Sequence, residues 1–404
     1  MTNVKSFCIL ALSRQLVRRA GIALVSVVPA AWGAGDPAEP PTEGLRVNFA
    51  ESARWEDNLF RLPDDESPPD GSSRGDHWSQ ASLGVAFDHA YSLQHISAGL
   101  GVTDRRHARH ADLDSTTTQG HLRWDWALGS DWSGRLGILQ REAPRNFADT
   151  SRRILSLNTL REANAEAAYR WHPAWRTRLG LTTRSSRYSD RQSRASEYDE
   201  AAVEAGIDFL PRSGNRIGFG LRQAEGRYLS GPAATDRDYQ QSDARLTGEW
   251  ALSGKTVASA ALGFTRRQGG GRPDFSGPAG RIVVDWEPTG KMGLRTTLRR
   301  ELGSEDEVLD NDVVSRALTL EPRWSVTAKL TLQGMAEWLQ RNSDSATDAG
   351  SGTQRTRSLG LGLIYQPRPT VSLAATYQHA ARSAADNHLD YTAQTVGLDL
   401  KIQF

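Results

Sequence analysis

From Gly44 to the last residue, apolar side chains recur at every second position in runs of roughly 8 to 12 residues, each closed by a turn. Val371, Leu373, Ala375 and Tyr377 form one set, and Leu359, Leu361, Leu363 and Tyr365 another. Ala163, Ala165, Ala167, Tyr169 and Trp171 repeat the device, as do Thr256, Ala258, Ala260, Leu262 and Phe264. At the C-terminus Val396, Leu398, Leu400, Ile402 and Phe404 alternate with Gly397, Asp399, Lys401 and Gln403. Successive side chains of a strand point to opposite faces, so period two predicts strands with one apolar and one polar face; a helix would space its apolar residues three or four apart. The Ala- and Glu-rich stretch 160–170 keeps its alanines on odd positions, which also predicts a strand.

The connections alternate between two kinds. Short ones are predicted at Asp88–Tyr91, Gly129–Trp132, His172–Ala174, Pro211–Asn215, Ser253–Lys255, Glu287–Gly290, Pro322–Trp324 and Gln366–Thr370. Long, charged ones are predicted near 61–76, 104–117, 143–156, 187–197, 229–238, 267–278, 302–312, 341–355 and 382–390. Together they predict about 18 strands, with 16 or 20 if one hairpin is misread. Every proline after Gly44 falls in one of these connections or at its border, as expected of a residue that cannot donate to a ladder. The first strand is the exception to the rhythm. Leu45, Val47 and Phe49 alternate, but Glu51 then breaks the apolar parity and predicts a bulge or an early strand end.

So many strands joined by successive hairpins predict an all-β fold, an antiparallel up-and-down transmembrane β-barrel. In hydrocarbon an unpaired backbone group costs several kcal/mol, so a spanning sheet must close. Short turns on one side, long loops on the other and aromatic girdles complete the pattern of outer-membrane barrels. Trp126, Trp132, Trp171, Trp175, Trp250, Trp286, Trp324 and Tyr365 cluster at the short turns and are expected to form the periplasmic girdle. Parity then turns a mixed, Arg-rich set toward the lumen: Glu166, Arg170, Arg176, Arg178, Arg184, Glu204, Arg216, Arg222, Arg245, Glu249, Arg295, Arg299, Lys329 and Glu337. Glu162, Glu200, Asp243 and Glu301 share that face. These groups could pair across the wall or offer donors to passing sugars and carboxylates.

Composition sharpens the picture. Residues 1–34 resemble an export signal: Lys5, Arg14, Arg18 and Arg19 precede the apolar stretch Gly21–Ala31 and the small residues near Ala34. Residues 35–43 are a Pro-rich leader and 44–404 the barrel. Removing the four signal cations from 49 leaves 45 basic against 48 acidic residues. That balance argues against a nucleic-acid partner. Cys8, the only cysteine, precedes the barrel, so disulfide frameworks and a cysteine nucleophile are excluded from it. The chain also lacks the run of about 18 apolar residues that a spanning helix needs.

Constellations with enzymatic or metal potential are weak. His107 and His110 with Asp112 or Asp114 read as a solvated charge run rather than a metal site. Ser185 and His172 fall at opposite ends of one hairpin, and no nucleophile elbow occurs. QGGGR at 268–272 lacks the Lys-Ser/Thr of a phosphate loop. Glu305, Asp306, Glu307, Asp310 and Asp312 lack EF-hand spacing and read, with Asp64, Asp65 and Glu66, as an acidic outer surface. The expectation is a protein that is not an enzyme and carries no cofactor.

The segment Ala53–Pro63, with Asp57, Asn58, Leu59, Phe60 and Arg61 at its centre, resembles the start of EpsL-type proteins, outer-membrane β-barrels encoded with exopolysaccharide systems of Gram-negative bacteria. The final strand, ending in Phe404, resembles the signature read by the outer-membrane assembly machinery. The resemblance implies an outer-membrane β-barrel channel for biosynthesis or export of extracellular polysaccharide. The partners it implies are outer-membrane lipid and lipopolysaccharide, the assembly machinery, the polymer itself and other exopolysaccharide-system proteins. A general diffusion porin or surface-binding barrel is the alternative, and a barrel enzyme acting on lipid or glycan a further one.

Overall fold

The computed structural model describes residues 43–68, 71–149, 153–229, 238–269, 274–302, 313–343, 352–385 and 387–404. The expected signal and nearly all of the leader lie outside them. The chain forms β1 (Gly44–Glu56), β2 (Asp76–Tyr91), β3 (Gln94–His107), β4 (Ser115–Leu128), β5 (Trp132–Pro144) and β6 (Leu157–His172). It continues through β7 (Trp175–Tyr188), β8 (Tyr198–Phe209), β9 (Arg216–Tyr228), β10 (Tyr239–Ser253), β11 (Thr256–Gly269) and β12 (Phe275–Thr289). The last third holds β13 (Met292–Leu302), β14 (Val313–Ser325), β15 (Leu330–Ser343), β16 (Gly352–Arg368), β17 (Val371–Ala384) and β18 (Tyr391–Gln403).

All 18 strands pair antiparallel with their sequence neighbours, and β18 pairs with β1 to close the sheet. Phe404 completes the seam: its amide donates to the Val47 carbonyl at 2.9 Å and its own carbonyl accepts from the Val47 amide at 3.0 Å. The strands run from 11 to 17 residues, longer than expected from the apolar runs, because the pleat continues past the apolar band into polar residues near the long loops.

Alternation sorts each strand into two faces. Leu83, Leu100, Leu221, Leu361 and Leu398 are all more than half exposed on one face, while Asp208, Asp243 and Arg267 are buried on the other. An apolar belt of this extent on a closed barrel is the surface of a protein that sits in hydrocarbon, with the polar face turned to the bore.

Four sequence expectations need correction. The expected bulge at Glu51 is not there: β1 pairs with β2 and β18 without a register shift, so Glu51 keeps the outward parity, opposite Ala81 and Leu400. A slip there would turn Leu45, Val47, Phe49 and Trp55 inward, so two ladders hold the register against one carboxylate. The short connection expected at Pro322–Trp324 lies inside β14, and the turn falls at residues 326–329. Two others are displaced along the chain: the β2–β3 turn is at Ser92–Leu93, and the β12–β13 turn at Gly290–Lys291.

The proline expectation fails with them. Pro322 pairs with Leu294 on β13, but the β14–β15 ladder lapses between Leu320↔Ala336 and Arg323↔Gln333. Pro278 pairs with Phe264 on β11, while the β12–β13 ladder starts only at Gly280↔Arg300. Each proline sits where one ladder is interrupted, so its missing N–H leaves no partner unsatisfied.

Candidate channel lining and mouth

The bore inherits its chemistry from inward parity. Glu166, Arg170, Arg176, Arg178, Arg184, Glu204, Arg216, Arg222, Arg245, Glu249, Arg295, Arg299 and Glu337 all occupy the inward face of their strands. Lys329 does not. It stands in the 326–329 turn, because the hairpin closes beyond the position expected from Pro322. Trp126, Trp132, Trp171, Trp175, Trp250, Trp286, Trp324 and Tyr365 lie on the outward parity beside short turns. Trp171 stacks on Trp175 with ring centroids 6.2 Å apart, and Trp132 meets Tyr169 at 4.7 Å.

The inward charges are largely paired within the wall. Arg176 holds Asp208 at 2.5 Å, Arg184 holds Glu162 at 2.9 Å, and Arg178 reaches Glu204 and, at 3.6 Å, Asp208. Arg222 bridges Glu200 at 2.7 Å and Asp243 at 3.3 Å. Asp243 also accepts hydrogen bonds from Thr265 at 2.6 Å and Gln241 at 3.0 Å. Tyr239 donates to Glu200 at 2.7 Å, and Arg267 lies 4.2 Å over the Tyr239 ring. Further along the wall Arg295 pairs with Asp285 of the adjacent β12 at 2.7 Å, and Arg299 with Glu301 two residues on in β13 at 3.3 Å. Cross-strand neighbours make this possible, since directly opposed residues on one face stand about 4.5–5.5 Å apart. Among the described residues Arg170, Arg216, Glu166 and Glu249 make no side-chain ion pair, so they meet whatever enters the bore as single charges.

The mouth was not legible as a site. Leu59, Phe60, Leu62 and Leu113 form a buried apolar cluster, against which Trp78, Phe147 and Leu155 pack. These residues come from three different long loops and the start of β2. Phe60 contacts His110 edge-on at 4.8 Å and Phe147 at 5.1 Å. Asn58, 2% exposed, is the organiser. Its Nδ2 donates to the Leu62 carbonyl at 2.8 Å and the Thr392 carbonyl at 2.9 Å, and its Oδ1 accepts from the Leu62 amide at 2.9 Å. The chain reverses there through Arg61, whose φ of 57° is left-handed. Arg61 pairs with Glu56 and covers the Tyr391 ring at 5.5 Å, while Arg382 covers the same ring at 4.7 Å.

Arg382 provides the decisive contact. It faces inward from β17 and donates to the Leu389 carbonyl at 2.7 Å and to the carbonyl of Ala148. Ala148 belongs to the segment after β5, which is six strand steps around the barrel from β17. The Phe147–Asp149 turn therefore reaches across the bore. Residues Asp57 to Arg61 sit on the same device, with Asp57 Oδ1 accepting the Gln394 amide at 2.7 Å.

The histidine-rich loop also differs from expectation. His110 is buried rather than solvated, and its Nε2 lies 3.0 Å from the Ser73 carbonyl. Asp76, 1% exposed, accepts the amides of His77, Arg109 and His110 and so pins this loop beneath the first one. Asp114 is engaged by Arg106 and the His107 amide. The signal available in the sequence was the presence of Leu59, Phe60, Leu62, Leu113, Phe147 and Leu155 in otherwise polar loops, since apolar side chains in water-facing loops need a surface to pack on.

A family model described as "Putative beta-barrel porin 2" matches residues 259–404, from within β11 to the C-terminal residue. No curated protein sequence matches the chain. Among solved structures the chain is similar to the Pseudomonas aeruginosa outer membrane protein OpdK, also solved with vanillate; each is 12% identical, covers 89% of this chain and 99% of that one, and has a TM-score of 0.50. A further structure of the same protein, named OccK1 (OpdK), is 13% identical with the same coverage and TM-score. At these identities the likeness is one of fold.

Proposed function

We propose that this protein is an outer-membrane porin-type channel that passes small hydrophilic solutes by diffusion through a bore narrowed at its loop end. The observation that carries this reading is the Arg382–Ala148 contact, which stretches the Phe147–Asp149 turn across the mouth. A crossing segment of this kind is compatible with small solutes and obstructs a thick polymer. The charge pattern fits the same reading. Arg–carboxylate pairs flatten the wall electrostatically, so the bore is a weak filter by charge and selects mainly by size. OpdK, one of the fold neighbours, was solved with vanillate, so small carboxylates of that kind are the first solutes to test beside neutral sugars.

The test is conductance in planar bilayers combined with liposome swelling in sugars of increasing size. Small sugars and vanillate are expected to enter and long oligosaccharides to be excluded. A barrel that conducts no ions, or one that passes polymers freely, would overturn the reading.

The second reading, export of extracellular polysaccharide, rests on the resemblance of the Asp57–Pro63 segment. Here that segment braces the mouth, a task that says nothing about cargo. Deletion of the gene with loss of secreted polymer and its build-up in the periplasm would favour export; unchanged secretion would favour the diffusion channel.

A further inference from the structure

The outward face near the long loops carries arginines on several strands, and they differ in what they meet. On β3, β6 and β7 an acceptor of the same wall meets them. Arg106 pairs with Asp104 at 2.8 Å and Asp114 at 3.4 Å, Arg187 with Asp199 at 2.6 Å, and Arg161 donates to Gln140 at 3.0 Å. By contrast, Arg300 on β13, Arg316 on β14, Gln340 on β15 and Arg355 on β16 stand directly opposite one another in an unbroken row. No carboxylate shares the outward face of these four strands among the described residues. Among the described residues Arg300 donates only to the Pro278 carbonyl, and Arg316 and Arg355 make no side-chain hydrogen bond or ion pair.

Like charges directly opposed across a ladder destabilise it. A row of them held at neighbouring-strand spacing, about 15 Å from end to end, calls for a polyanion of matching reach. Its depth names the source. One step toward the short turns lie Leu298, Leu318 and Trp338, the last directly opposite a fourth arginine, Arg357. Exposed tryptophan marks the headgroup level, so the row stands where lipid phosphates lie.

We infer that this row is a binding site for the phosphate groups of a phosphorylated outer-leaflet glycolipid, with the guanidinium forks taking phosphate oxygens and the leucine and tryptophan wall taking acyl chains. The competing partner within the chain is the acidic loop that joins β13 to β14, with Glu305, Asp306, Glu307, Asp310 and Asp312.

Native mass spectrometry of the full barrel in a neutral detergent reads the site. The probe is a bis-phosphorylated, acylated glucosamine disaccharide, with its dephosphorylated form as comparator and inorganic phosphate as competitor. The phosphorylated lipid is expected to bind, and R300Q/R316Q/R355Q to weaken it roughly tenfold or more, while R106Q/R187Q leaves it unchanged. Heat-modifiable gel migration verifies that each variant is a folded barrel. Replacing the five loop carboxylates with amides is expected to leave binding equal or stronger. Equal binding of the dephosphorylated lipid, full binding by the triple variant, displacement by inorganic phosphate at matched concentration, or loss of binding on loop neutralisation would each overturn the site. Conductance is a separate measurement, so failure here leaves the channel reading intact.

Discussion

Asn58→Ala tests whether the mouth is a held structure. The side chain makes three hydrogen bonds of 2.8 to 2.9 Å, two within its own loop and one to β18, and it is buried. Each is worth about 1 kcal/mol net, and truncation also strands the Leu62 amide and two carbonyls in a dry cluster, so the loss comes to about 2–4 kcal/mol. At 1.4 kcal/mol per factor of ten, that multiplies the ratio of open to closed mouth by roughly 30 to 1,000. The ladders of β1 and β18 are untouched, so the barrel itself should keep its stability. Single-channel recording is expected to show longer residence in a larger conductance state, and limited proteolysis should begin within residues 59–68. Arg382→Ala, which releases the same loops from the β17 side, should move both readings in the same direction. Unchanged conductance and unchanged proteolysis in both variants, with the barrel intact, would refute the role given to this cluster.

Three further outcomes are expected. Glu51→Leu removes a carboxylate from the lipid-facing wall of β1 and should stabilise the barrel by about 1–2 kcal/mol in urea unfolding from vesicles; a destabilised variant would mean that Glu51 has a partner. Arg222→Ala leaves Glu200 and the buried Asp243 without their shared cation and should cost about 2–4 kcal/mol in the same assay, with Arg222→Lys recovering part of it. In the loop between β7 and β8, burial raises the Asp190 carboxyl, but hydrogen bonds from Ser156 and Ser193 outweigh it and hold the group below its ordinary 3.8. A depressed carboxylate stabilises above its unfolded value and loses that contribution as pH falls through the folded one. Protection of the Ser193 amide, corrected for intrinsic exchange, should therefore collapse only below about pH 3.8, and Asp190→Asn should abolish that dependence.

Most of the wall could be read before any coordinates. Alternation such as Leu359, Leu361, Leu363 and Tyr365 is a local consequence of the pleat, so strand, face and barrel class follow from residues close in the chain. The same parity turned Arg176, Arg178, Arg222 and Arg295 to the bore without knowledge of their partners. It failed where a neighbouring strand overrules the local signal. Pro322 reads as a turn, yet a gap in the β14–β15 ladder lets it stay inside β14, and Lys329 moves off the wall as a result. Glu51 reads as a break, yet β2 and β18 hold it in register.

The amino-acid order alone therefore determined that this chain forms a closed wall of about 18 strands with an apolar exterior and a charged bore, because side-chain alternation acts over two residues. Only the tertiary structure decided what narrows the mouth of the bore and which charges pair with each other. Arg382 and Ala148 are separated by 234 positions and meet only once the barrel has closed. Whether Arg300 and Arg316 face a carboxylate or lipid likewise depends on which strands the closed ladder sets beside them.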